Sequence, residues 1–235
     1  VVPQEGLGRA VLRLRHGHEH ADEVAGREPS AEHPASALPE LAPDGALPAT
    51  PIMHWLLERE GDHDRFAQTM LLRVPALRPE PLLAALQDLI EHHHALRLRV
   101  RPDRSLDILA AGRVAAADCL EQVDLRGLDR ETRARTVQQH TRAAQARLSP
   151  GDGRMLQAVW FDDGADSRLF LAVHHLAVDG VSWRILLPDL QAAWQARAHG
   201  RASALEPVPT SLRQWAHALP AVAARRRDEL PFWQA

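Results

Sequence analysis

The residues of this chain best suited to chemistry lie in the stretch His174-His175-Leu176-Ala177-Val178-Asp179-Gly180. An imidazole changes its charge at about pH 6.5, where a proton can be both taken and returned in neutral water. A general base positioned in this way contributes about 10²–10⁴ in rate. Adjacent side chains at the end of a strand point to different sides, so one histidine can face a cleft while the other supports it. Asp179 has two open roles: orienting an imidazole, or tying down the loop by pairing with an arginine. Gly180 would permit a backbone turn that a Cβ would obstruct.

Other reactive side chains carry less. His92, His93 and His94 stand together like a metal tag, but helical neighbours point about 100° apart. They are read as the last turn of a helix, where partial positive charge suits the dipole. His16, His18 and His20 could share one side of an extended segment, with His33 further on. Nothing rigid supports them and no thiolate or carboxylate pattern completes a site, so no metal is expected. Cys119 follows an alanine-rich run with no motif around it. As the single cysteine it excludes an internal disulfide and fits a reducing cytoplasm.

The elements that must hold the histidines follow from periodicity. Leu169 to Val173 is a continuous apolar run and predicts a buried strand that ends at the histidines. Behind it, Ser182 is placed to cap a helix, with Trp183, Leu186, Leu187, Leu190 and Trp194 at helical spacing. Pro188 should kink or restart that helix, and Gly200 should end it. Residues 155–161 read as a second strand, antiparallel to the first across the polar loop 162–167.

Upstream, Thr50 and Pro51 open a helix over 51–60, with Ile52, Trp55 and Leu56 as its buried face. Residues 66–74 alternate as a strand, with Phe66, Gln68, Met70 and Leu72 on one face. A helix over 79–93 carries Leu82, Leu83, Leu86, Leu89 and Ile90, and residues 95–100 alternate as a strand with arginines on one side. Short strands are expected at 106–110 and 120–124, a long helix at 128–148 with Asp129 as its cap, and a turn at 150–153. A short helix at 211–219 should turn Trp215 inward. Strand, helix and strand over 66–100 point to an α/β fold. Residues 1–46, rich in Pro, Glu, Ala and His, read as a flexible linker, and 47–235 as the folded part.

A net charge of −3 on 28 basic and 31 acidic residues gives no reason to expect nucleic acid or a membrane surface as partner. No apolar run approaches the roughly 20 residues that span a bilayer. The first residues lack the basic start and apolar core of a signal peptide, so a cytoplasmic location is expected.

His174-His175-Leu-Ala-Val-Asp179-Gly180-Val-Ser182-Trp183 resembles the HHxxxDG motif of condensation and epimerization domains of nonribosomal peptide synthetases. The Val-Ser-Trp ending is closer to the epimerization form. Thr50-Pro-Ile-Met-His-Trp55 is similar to the opening motif of epimerization domains, with Met53 in place of the usual Gln. Phe66-Ala-Gln-Thr69, Thr210-Ser-Leu-Arg-Gln-Trp215 and Glu229-Leu-Pro-Phe-Trp233 are similar to later segments, in order, so the likeness covers 47–235. The resemblance implies a chloramphenicol acetyltransferase-like two-layer sandwich, with a mixed sheet covered by helices, forming one lobe of a two-lobed domain. It implies His175 as the catalytic histidine with His174 beside it, and Asp179 as a brace paired with Arg97 of the His93-x-x-Leu-Arg97 stretch. Gly180, Ser182 and Trp183 would complete the loop.

The implied activity is epimerization of the α-carbon of an aminoacyl or peptidyl thioester, with His175 as acid or base. The substrate would arrive on the 4′-phosphopantetheine of a peptidyl carrier protein, and the chain would bind no cofactor of its own. A C-terminal lobe of the same domain would supply a glutamate opposite the histidine, and neighbouring synthetase modules would be further partners. The alternatives are a condensation lobe, in which His175 would position or deprotonate an attacking amine, and a non-catalytic carrier-docking fragment.

Overall fold

A computed structural model describes residues 41–61 and 63–234. The expectations for His16, His18, His20, His33 and most of the segment before residue 47 lie outside the described residues.

The centre is a four-stranded mixed sheet. Strand β7 (Arg168–His174) pairs antiparallel with β6 (Leu156–Asp162) on one side and with β2 (Ala67–Arg73) on the other. Strand β5 (Leu120–Asp124) lies parallel to β6, which gives the order β2-β7-β6-β5. From Leu156 to Phe161 and from Leu169 to His174 every residue is buried, which explains why neither run alternates between apolar and polar residues. The expected hairpin is present. Its loop is closed by Ser167, whose hydroxyl donates to Gly164 O at 2.8 Å and accepts from Asp163 N at 3.1 Å.

Helices α2 (Pro79–His92) and α4 (Trp183–Ala198) pack together on one face of the sheet. Leu82, Leu86, Leu89 and Ile90 of α2 and Leu186, Leu190 and Ala193 of α4 meet Leu156, Trp160, Leu169, Leu171 and Val173 there. Helix α3 (Arg130–Ala146) covers the opposite face through Ala144, against Val159, Phe161, Phe170 and Ala172. Asp129 caps α3 as expected, its carboxylate accepting from Glu131 N at 2.9 Å and Thr132 N at 3.0 Å. The chain thus has the α/β class and the helix-covered mixed sheet that its sequence implied.

A second, antiparallel sheet joins three strands, β1 (Gly45–Leu47), β4 (Leu106–Ile108) and β3 (Leu98–Val100), in that order. Its core joins Leu47, Leu98, Leu106 and Ile108 to Met53 and Leu56 of α1 (Pro51–Leu57) and Ala216 of α5 (Leu212–Arg225). A last helix, α6, spans Leu230–Gln234. No helix of the described residues is long and apolar enough to cross a membrane.

Several local expectations are corrected. Leu56 is buried as expected, but it shares its stripe of α1 with Met53, while Ile52 (68% exposed) and Trp55 (49%) face out. Both pairs are three residues apart, so spacing alone could not choose between neighbouring stripes. Trp55 instead takes the Arg59 guanidinium over its ring at 3.9 Å. Trp215 likewise faces outward, because the short side chain of Ala216 allows α5 to lie close against the small sheet, and Arg213 Nε donates to Ala46 O at 2.8 Å. Residues His94–Arg97 form a 3-10 turn rather than strand, so Arg97 is buried instead of lining an exposed face. Helix α4 runs unbroken through Pro188. Pro188 and Arg184, whose carbonyl loses its helical donor, both lie on the exposed side, where water can serve that carbonyl.

Cys119 is buried in the α2/α4 core, and burial pushes its thiol up to about 11. Only the thiolate reacts. The native chain at about pH 8 should therefore leave an aromatic disulfide reagent unconsumed, and denaturation should release one reactive thiol. Rapid labelling of the folded chain would show that the cysteine is accessible after all.

Candidate active site

The two histidines sit where β7 runs out between its neighbours. His174 N donates to Met155 O at 2.8 Å, and His175 N donates to Phe66 O at 2.8 Å. The β2–β7 register pairs Ala67 with His174 and Gln68 with Val173. Alternation then sends the side chains to opposite faces. Gln68, Met70 and Leu72 share the α2/α4 face with Val173, Leu171 and, one step beyond, His175.

His174 is wholly buried. Leu176 N donates to its Nδ1 at 3.2 Å, so the ring hydrogen is on Nε2, which donates to His63 O at 2.8 Å. Burial, above all, holds its proton affinity below that of free histidine. His174 is therefore a neutral pin that joins the strand end to the segment before β2. On its side lies an open cleft of about 780 Å³, whose walls include His63, Asp64, Arg101, Arg104 and Asp152.

His175 is half-buried, with its ring stacked on Phe66 at 4.9 Å between centroids and 11° between planes. Its Nε2 lies 3.2 Å from Gln68 Nε2, and Gln68 Oε1 accepts from Trp183 Nε1 at 2.8 Å. Sequence reading placed Trp183 behind the loop but did not assign Gln68 to the site. The available signal was a polar residue on the otherwise apolar face Phe66, Met70 and Leu72.

The expected pair of Asp179 with Arg97 is not formed. Asp179 is exposed, and its Oδ1 accepts from Val181 N at 3.0 Å, Ser182 N at 2.9 Å and Ser182 Oγ at 2.8 Å. These donors, the Ser182 hydroxyl first, hold its carboxyl below the usual range. Asp179, not Ser182, caps the turn leading into α4. Ser182 is itself helical, and its Oγ accepts from Asp179 N at 3.0 Å. Arg97 instead faces Glu91, with Nε 3.6 Å from Oε2, and its Nε and Nη1 have no hydrogen-bond partner among the described residues.

Gly180 also departs from expectation. Its φ is outside the left-handed region, and a Cβ added there would meet no heavy atom within 4 Å. The turn itself does not require glycine at this position.

His93 leaves the helix as an extended C-cap, so its ring meets His92 edge-on at 4.8 Å instead of diverging at helical spacing. Its Nε2 is 2.8 Å from Asp189 Oδ2. These three residues bring potential ligand atoms within 4.8 Å of one another, and the His93–Asp189 bond ties the end of α2 to α4. Burial is the main reason that His93 and His94 both hold their protons less tightly than free histidine. They are not the partial positive charges expected at a helix end.

The comparisons with known proteins fall on this same region. A family model described as a condensation domain matches residues 47–235. In Brevibacillus parabrevis, one of the linear gramicidin synthase subunits is 36% identical over 194 residues, covering 80% of this chain and 2% of that protein. Surfactin synthase subunit 2 of Bacillus subtilis (strain 168) is 33% identical over 197 residues, 81% of this chain and 5% of that protein. Among solved structures, the epimerization domain from the third module of tyrocidine synthetase B superposes with a TM-score of 0.72 at 26% identity, over 81% of this chain and 44% of that one. The X-domain from teicoplanin biosynthesis, at 22% identity and a TM-score of 0.64, over 83% of this chain and 45% of that one, shares the fold.

The neutral burial of His174, His93 and His94 makes stability depend on pH. Each has a folded affinity for protons below its unfolded value, so the unfolded chain binds more protons below about pH 6.5. Their contribution is complete above that pH and is lost as the pH falls. The urea midpoint should therefore drop between about pH 7.5 and about pH 5.5, and His174→Gln should flatten part of that slope. An equal slope in the variant would mean that His174 does not carry the effect.

Proposed function

Because the chain belongs to the condensation-domain family of nonribosomal peptide synthetases, we propose that it is the N-terminal lobe of an epimerization domain. Its substrate would be an aminoacyl or peptidyl thioester, held on the 4′-phosphopantetheine arm of a peptidyl carrier protein. The observation that carries this reading is the likeness to the tyrocidine synthetase epimerization domain, joined to the Val181-Ser182-Trp183 sequence after the Asp-Gly pair.

In this mechanism His175 takes the α-proton, and the electron pair of the C–H bond passes into the thioester as an enolate. Return of a proton from the opposite side inverts the carbon, and that proton comes from an acid in the C-terminal lobe. His174 does not exchange protons with substrate. It is neutral and fully engaged, and it fixes the strand end from which His175 projects. Asp179 and Ser182 shape the loop, and Trp183 holds the first turn of α4 against the site. Arg97, buried beside Glu91, supports the end of α2.

The second reading, compatible with the same family model, is a condensation lobe, in which the same imidazole accepts a proton from an attacking amine. The two differ in the atom deprotonated. With the complete domain and a carrier-bound substrate deuterated at the α-carbon, epimerization predicts loss of deuterium, and His175→Ala should slow that loss by about 10²–10⁴. Undiminished exchange in the variant rules out the role given to His175. Amide formation between two carriers without deuterium loss assigns the lobe to condensation.

A further inference from the structure

We propose that Gln68 and Trp183 are positioning residues that fix the tautomer of His175, with its proton on Nδ1 and its basic lone pair on Nε2. The consequence for proton exchange rests on the reading of His175 given above; the tautomer itself does not.

The indole N–H of Trp183 can only donate. Trp183 Nε1 lies 2.8 Å from Gln68 Oε1, so the oxygen of the amide must face the tryptophan. The NH₂ of the same amide is then the group that faces His175 Nε2, at 3.2 Å. An amide NH₂ only donates, so Nε2 must offer its lone pair and a neutral ring must carry hydrogen on Nδ1. One donor-only group thus sets the next.

The frame around the relay is rigid. Gln68 pairs with Val173 in the β2–β7 ladder, which puts His175 on the adjacent diagonal, within reach of a long side chain. Trp183 is buried at the first residue of α4, against the α2/α4 core. The Phe66 ring lies flat on the imidazole and limits its rotation.

The neighbouring histidine is held the other way. Leu176 N donates to His174 Nδ1, leaving hydrogen on Nε2 for His63 O. The chain therefore keeps two adjacent imidazoles in opposite tautomers. In His175 the atom left to receive a proton is Nε2, and its bond to the amide is at the long end of the normal range, so an incoming group can displace it.

The 235-residue chain labelled with ¹⁵N-histidine tests this directly, since long-range ¹H–¹⁵N correlations distinguish the two neutral tautomers. His175→Gln assigns the signal. The expected wild-type result is Nδ1–H for His175 and Nε2–H for His174. Gln68→Glu keeps the shape but replaces the NH₂ with an acceptor, and should move His175 to the Nε2–H form while the His174 signals stay in place. Trp183→Phe frees the amide to turn over and should give a mixture. An Nε2–H form of His175 in the wild type overturns the proposal, as does an unchanged Nδ1–H form in either variant. The readout needs no substrate. A failed tautomer assignment thus leaves the exchange reading untouched, and failure of the exchange experiment leaves the tautomer standing.

Discussion

The pairing of β7 with β2 decides which of two adjacent histidines faces which side, and the rest of the site depends on it. A slip of one residue in a strand exchanges its two faces. Here that slip would turn His175 into the environment of His174 and bring His174 beside Gln68. Apolar alternation cannot prevent it, because β7 is buried on both faces, with Leu169, Leu171 and Val173 on one and Phe170 and Ala172 on the other. The register is set at the ends. Ser167 and Gly164 fix the loop into β7, and the bonds of His174 to Met155, His63 and Leu176 fix its exit. Each such bond is worth only about 1 kcal/mol net, but a buried polar group left unpaired costs about 1–3 kcal/mol. Slipped pairings lose these partners together, which makes the native register distinct.

The same weighing of local against distant partners explains Asp179. A carboxylate on an exposed turn meets donors two and three residues ahead with little further ordering of the chain. To reach Arg97 it would have to leave water and give up three hydrogen bonds for one ion pair, and desolvation offsets much of the attraction in such pairs. Arg97, carried inward by the 3-10 turn, has Glu91 beside it instead, and Glu91 Oε1 is meanwhile held by Gln87 and Gly112 N, each at 2.8 Å. The charge is matched locally, and the loop bearing the histidines is braced by its own backbone.

Much of this was legible in the sequence, for identifiable reasons. Largely apolar runs located β7 and β6, helical spacing located α2, and Asp129 marked the start of α3 as a short polar side chain before a helical run should. What could not be read was the choice between equivalent stripes, as with Ile52 and Trp55 against Met53 and Leu56, because that choice belongs to the surface the helix lands on. Nor could a run such as Leu96 to Val100 reveal that its first half turns back as 3-10. At the site, His174, His175 and Trp183 were legible by type and spacing. Gln68 was not, since it lies more than a hundred residues from His175 and joins it only through strand pairing.

Two neighbouring imidazoles would obstruct one another if both could charge. Like charges on neighbouring residues repel, and more strongly where water is excluded. The fold removes that conflict by giving the histidines different surroundings. His174 loses its water entirely, and burial, with a smaller contribution from His175 itself, keeps it neutral. It is also saturated by one donor and one acceptor, so it has no free atom with which to compete for a proton. His175 keeps partial exposure and a single long bond at Nε2. Strand alternation alone places the two rings on opposite faces; the pinned neutrality of the first removes a like charge from beside the second.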